Sequence, residues 1–358
     1  MAYTTIDDPT IYFNTVIWSG DSSSPENITV GFEPDWIWGK SRNTGYNHQL
    51  FDSVRGFGND KELQSNITAV QGGGTADQYG YISGTTSTGF TATKGSDGGA
   101  DGYGFWNESG RTYVAWNWKA NGSGATNEDG SINTIKTSAS TTSGFSISTY
   151  TGTGSAATVG HGLGVVPSVM IVKRTNSTGD WLMYHKSLGN GKNMRMNEAG
   201  TEDTSSAPWN ATTPTSSVFS VGAFGETNGS SDTFVAYCFA PIKGYSAMGS
   251  YTGNGSADGT FVYTGFKPAW ILLKESSATG DNWFIFDNKR IGFNPESYYL
   301  HPDTGGTEGT TDKIDILSNG FKLISSGGDS NASGATYIYM AFAEEPLVTS
   351  TGIPATAR

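Results

Sequence analysis

The sequence predicts an all-β protein of three tandem β-sandwich repeats, jelly-roll or lectin-like in kind, each of about 100 residues. Three observations predict it. One phrase occurs three times, as GFEPDWIWGK (31–40), GVVPSVMIVK (164–173) and GFKPAWILLK (265–274). The same landmarks surround it in the same order each time, and such internal repetition decides a fold before any other signal. Composition completes the case: 50 of 358 residues are Gly, only 15% are charged, and 13% are aromatic. Disordered chains lack aromatic residues, whereas β-proteins with many tight turns combine them with glycine.

Along the chain, residues 1–16 form an N-terminal arm with no counterpart in the later copies. Repeat one is expected at 17–120, a linker or long loop at 121–142, repeat two at 143–244, repeat three at 245–346, and a tail at 347–358. Each repeat opens on an aromatic-x-Gly: Trp18-Ser-Gly20, Tyr150-Thr-Gly152, Tyr251-Thr-Gly253. The recurring phrase follows, a short apolar run bounded by turn residues, as in a strand covered on both faces. SRNTGYN, RTNSTGD and ESSATGDN then each place a glycine between two strand-like runs, the mark of a hairpin loop. The next run is Leu50-Phe51-Asp52, Met183-Tyr184-His185 or Ile285-Phe286-Asp287, with Gly89-Phe90, Val218-Phe219 and Gly320-Phe321 further on. Asn107, Asn228 and Asn331 each stand five residues before a Thr that opens a last strand, TYVAWNW, TFVAYCF or TYIYMAF. Alternation there (Val114/Trp116, Val235/Tyr237, Met340/Phe342) is the pattern of half burial. Because the two later copies carry every landmark, residues 143–346 are expected to fold without residues 1–142, and Trp270 is expected in the core.

Net charge of −12, with no basic run longer than a Lys-Arg pair, argues against nucleic acid as a partner. No apolar run approaches the eighteen or so residues needed to span a bilayer, and MAYTTIDDPT has neither the basic nor the apolar part of a signal peptide. Cys238, the one cysteine, reads as a small buried hydrophobe.

Catalytic signatures do not emerge. His48, His161, His185 and His301 lack metal-ligand spacing, and no Cys pair supports zinc. A glycosidase needs two carboxylates across one bond. Glu344 and Glu345 are adjacent, so on a strand they face opposite ways. Asp52 and Asp287 share one repeat position, but the second copy has His185 there, and a nearby basic residue (Arg55, Lys186, Arg290) makes a local ion pair the plainer reading. The acidic loops at 97–101 and 327–331 offer oxygens for Ca²⁺ but no EF-hand spacing, so they read as turns. No catalytic, cofactor or metal residues are assigned.

Several long phrases resemble a family of tailed-phage proteins from marine phages of the cyanophage and pelagiphage type. They include MAYTTIDDPTIYFNT, GFEPDWIWGK, YVAWNWKANG, FSVGAFGETNGSS, YTGNGSADGTFVYTGFKP, WFIFDNKRIGFN and the closing PATAR. The resemblance covers essentially the whole chain. It implies a non-enzymatic virion structural protein with lectin-like repeats, tail-fibre-like in description, and carries no catalytic residues over. Partners on this reading are other virion proteins, further copies of the chain, and host surface carbohydrate. Capsid decoration or a head fibre is the alternative place, and a virion-borne carbohydrate-active enzyme the alternative class. Two sets of residues stand out. Tyr12 and Phe13 give the arm an apolar character that suits an assembly anchor, the alternative being an edge strand of repeat one. Tyr46, Trp181 and Trp283 lie in or beside hairpin loops, where aromatics contact glycans, although repeated positions such as Trp181 and Trp283 are more often core.

Overall fold

A computed structural model describes residues 3–356. Repeat one contains strands β1 (Phe13–Ser19), β2 (Glu26–Thr29), β3 (Trp36–Ser41), β4 (Gln49–Asp52), β5 (Tyr81–Thr86), β6 (Gly89–Thr93) and β7 (Thr112–Trp118). Repeat two has β8 (Lys136–Ser140), β9 (Phe145–Thr151), β10 (Ala157–Gly160), β11 (Val169–Arg174), β12 (Trp181–His185), β13 (Met194–Arg195), β14 (Val218–Val221) and β15 (Thr233–Phe239). Repeat three has β16 (Ser246–Thr252), β17 (Phe261–Tyr263), β18 (Phe266–Glu275), β19 (Phe284–Asp287), β20 (Glu296–Tyr299), β21 (Gly309–Leu317), β22 (Gly320–Leu323) and β23 (Thr336–Pro346).

The all-β prediction holds, and one antiparallel order appears three times: β1-β7-β3-β4, β9-β15-β11-β12 and β16-β23-β18-β19. The registers coincide as well. Trp36, Val169 and Trp270 stand opposite Trp118, Phe239 and Phe342 on one side, and opposite Asp52, His185 and Asp287 on the other. The recurring phrase therefore supplies an inner strand of each four-strand set and is buried from its proline to its lysine. Its proline sits where no ladder donor is needed: Pro34 and Pro167 precede their strands, and Pro268 lies at a register shift.

Each of these sheets has two buried faces. The outer face packs against a small second sheet, β2-β6-β5, β10-β14 or β17-β22-β21-β20, around a separate apolar cluster. That is the sandwich the sequence implied. The inner faces of all three sheets, however, meet in one core. Trp36 stacks on Tyr237 at 4.5 Å, Trp118 meets Trp270 edge-on at 5.3 Å, and Phe239 meets Phe342 at 5.9 Å. Each contact joins two repeats, so the three sandwiches close into a three-sided ring, not a string of separate domains.

The shared core also changes the reading of the arm and the linker. Phe13 pairs with Trp118 in β1, is 1% exposed, and lies 5.3 Å from Phe342 and 4.9 Å from Trp118. Ile6 is buried in the same cluster. Tyr12 meets Tyr245 edge-on, and Thr4 Oγ1 donates to Lys243 O at 2.9 Å. The arm thus carries the first strand of repeat one and fastens it to repeat three; Tyr12 and Phe13 are contacts within the chain, which corrects their reading as an assembly anchor. Residues 121–142 are not a solvated linker either. Lys136–Ser140 adds strand β8 beside β9 in the main sheet of repeat two, and Ile132 bridges Val159 in parallel and fills the repeat-two cluster.

The remaining landmarks explain one another. Each repeated Asn clamps the loop that follows aromatic-x-Gly, accepting from the N–H of Asp21, Thr153 or Asn254 and donating to the carbonyl of Ser23, Ser155 or Ser256. The aromatic side chain donates to the carbonyl just before that Asn: Trp18 to Trp106, Tyr150 to Thr227, Tyr251 to Ser330. The glycine is required by close approach. A Cβ on Gly20, Gly152 or Gly253 would lie 2.2–2.3 Å from the carbonyl oxygen of Glu108, Gly229 or Ala332.

Candidate functional site

The repeat position that the sequence offered for chemistry, Asp52, His185 and Asp287, lies on the seams between repeats. Asp52 and Asp287 are fully buried, and each holds the arginine three residues on, with Nε–Oδ2 distances of 2.5 Å to Arg55 and 2.6 Å to Arg290. Their second partner comes from a neighbouring repeat: Tyr237 OH donates to Asp52 Oδ2 at 2.7 Å, and Trp116 Nε1 to Asp287 Oδ2 at 2.9 Å. In the third seam the residue equivalent to Tyr237 and Trp116 is Met340, which offers no donor. A carboxylate there would be buried without its cross-repeat bond. The chain has His185 instead, whose Nδ1 accepts from Ser187 N, leaving the proton on Nε2 to donate to Tyr339 O at 3.1 Å. Burial pulls its pKa down to about 4, so it is neutral at pH 7. The exception at the repeat position follows from its neighbour.

A second set of seam bonds involves two of the predicted glycan contacts. His48, Trp181 and Trp283 occupy one register position. Trp181 Nε1 donates to Gln64 O at 2.9 Å, Trp283 Nε1 to Arg195 O at 3.1 Å, and His48 Nε2 to His301 O at 3.0 Å. Trp38 Nε1 donates to His48 Nδ1, which sets that tautomer. Trp181 and Trp283 are at most 1% exposed, so neither ring has a face for a sugar, which corrects their assignment. Tyr46 is half-buried, packed against Tyr79 and Phe105, and directs its hydroxyl at Glu108 Oε2. The structure does not bring the three together.

Beyond these lies a third set. Gln71 N bonds Thr175 O, Glu202 N bonds Ser276 O, and Glu308 N bonds Arg42 O, so a long loop of each repeat rests on the hairpin of the next. Lys40, Lys173 and Lys274, which close the recurring phrase, are buried beneath these hairpins. Their ammonium groups donate to hairpin carbonyls, Lys40 to Ser41 and Thr44, Lys173 to Gly179 and Lys274 to Glu275, and Lys173 also to Thr68 O of the long loop of repeat one. Burial lowers their pKa values, to about 7 for Lys40 and about 8 for Lys173.

Cys238 is buried, and burial pushes its thiol up to about 12, the state of an inert small hydrophobe. In the acidic loops, Asp97 accepts from Gly99 N and Asp329 pairs with Lys313 at 2.6 Å. Among the described residues no group of three or more His, Cys, Asp or Glu side chains is placed to hold a metal ion. Nor is any helix there long and apolar enough to cross a membrane.

Sequence reasoning missed one surface feature. Phe261 and Tyr263, both on edge strand β17 of repeat three, are 44% and 56% exposed. The signal was present: the other repeats have polar or small residues at the same positions, Asn27 and Thr29 in one, Thr158 and Gly160 in the other.

Fold and seams together define a single-chain, pseudo-threefold ring of β-sandwiches. Residues 8–346 match the family described as a domain of unknown function, DUF7483, and the chain belongs to that family. No curated protein and no solved structure matches it.

Proposed function

We propose that this chain is a non-enzymatic structural component of a bacteriophage particle, a tail-fibre or appendage-type part that presents its outer surface to host glycans. The observation that carries this reading is where the repeated polar residues go. Asp52, His185 and Asp287 are buried, and each divides its hydrogen bonds between groups of its own repeat and one group of a neighbouring repeat; buried side chains of this kind hold shape. A hydrolytic carboxylate must instead reach an open cleft. The ring leaves loops and outer sheets as the parts free to differ between copies, which suits a rigid carrier of a recognition surface. Capsid decoration is the alternative place in the particle.

Mass spectrometry of particles purified from a lysate of the host tests this directly. Peptides of this chain in constant ratio to the major structural proteins are the expected result. Their loss from the particles through a density gradient would overturn it.

A further inference from the structure

Repetition supplies an internal control: a residue demanded by the fold recurs in three copies, and an outward residue present in only one is free of that demand. The outer sheet of repeat three departs from its counterparts on one face. Phe261 stands opposite Lys322, and Lys322 opposite Asp315. Cross-strand partners share a face, so an exposed ring, a cation and a carboxylate form one row. Tyr263, two residues on, stands in the next row about 7 Å away. The equivalent row in repeat one is Asn27, Thr91 and Gly84, and in repeat two Thr158 and Ser220. Small polar residues therefore suffice for the fold there. Val262, between the two rings, points the other way into the repeat-three core.

Three further contacts brace the patch. Tyr263 OH lies 3.4 Å from Tyr3 OH, and Tyr3 OH donates to Gly265 O at 2.7 Å. The N-terminal segment thus lies against one side of Tyr263. At the other end Lys322 pairs with Asp258.

We propose that Phe261 and Tyr263 are a glycan-binding platform for a chain of pyranose sugars, with Lys322 and Asp315 as hydroxyl partners. Large exposed apolar groups rimmed by charge mark interaction sites, and this rim decides the class. A pyranose has an apolar C–H face for an aromatic ring and equatorial hydroxyls for a neighbouring ammonium and carboxylate. Successive sugars along a chain suit two rings set two strand residues apart. An added protein strand fits less well, because β17 is only three residues long, and short edge strands resist such pairing. The proposal rests on the glycan-contact part of the reading above but not on residence in a particle.

The test uses the full chain with maltohexaose, cellohexaose and N-acetylchitohexaose as probes, read by saturation-transfer NMR and calorimetry. The variant is Phe261→Asn with Tyr263→Thr, the residues repeat one carries at these positions. Expected is saturation of sugar C–H protons for at least one probe and a loss of about tenfold or more in affinity in the variant, the scale of losing aromatic contacts. The variant's melting temperature should be unchanged. No transfer to any of the three probes, or equal affinity in the variant, overturns the proposal. So does an oligomer, seen by light scattering, that the variant dissolves, since the patch is then a protein contact. Particle membership is measured separately, so either reading can fail alone.

Discussion

Tyr237→Phe tests whether the repeats are truly held by cross-seam bonds. The change removes one hydroxyl and leaves the ring stacked on Trp36 at 4.5 Å, so no cavity opens. What disappears is the 2.7 Å bond to the buried Asp52 carboxylate. Hydrogen bonds to charged groups contribute about 1.5–3 kcal/mol. Asp52 keeps Arg55 and the N–H groups of Val54 and Arg55, so the loss should fall near the lower end of that range. Tyr245→Phe is the matched control. Tyr245 is equally buried, but its hydroxyl has no hydrogen-bond partner among the described residues. Removing it should be neutral or stabilising, because an unpaired buried hydroxyl itself costs stability. Urea unfolding followed by tryptophan fluorescence, with m-values compared, reads both. If Tyr237→Phe costs no more than Tyr245→Phe, the seam bonds do not hold the ring.

Three further outcomes follow from the same geometry. A fragment of residues 143–346, which the landmarks alone predict to fold by itself, should instead fail to melt cooperatively, because it lacks the repeat-one faces that cover Tyr237, Trp270 and Phe342; a sharp calorimetric transition would contradict the shared core. Trp270→Ala should cost roughly 3–5 kcal/mol, the usual range for a large aromatic truncated in a core, and a loss under about 1 kcal/mol in denaturant titration would be inconsistent with its burial. His185 is held below its unfolded pKa, so the folded state binds fewer protons than the unfolded state between about 4 and 6.5, and stability is lost as pH falls through that window. His185→Gln, measured beside the parent at pH 7 and pH 4.5, isolates this group from Glu62 and Asp303, which burial pushes up to about 7 and which act in the opposite direction. The variant should lose less stability than the parent on acidification, and parallel losses would refute the linkage.

Sequence alone determined the all-β class, the order of the landmarks and the burial of the recurring strand. All of these rest on short-range patterns: apolar runs and turn residues repeat at nearly fixed spacing, and each is a property of one strand or one hairpin; the alternation read as half burial in the last strand of each repeat did not hold, because that strand is covered on both faces. The Asn and the aromatic-x-Gly were equally legible as landmarks, though their clamp needed coordinates, because Asn228 reaches back to Thr153 and Ser155. Only the tertiary structure decided that the repeats share a core. Asp52 meets Tyr237, Asp287 meets Trp116, and His185 meets Tyr339, and no periodicity within a repeat says which face turns toward a strand more than a hundred residues away. For the same reason Trp181 and Trp283 read as loop-side aromatics and Phe13 as an arm residue, when all three are buried at contacts between repeats. A strand with two apolar faces announces that both are covered; what covers them is settled by which other sheets close around it.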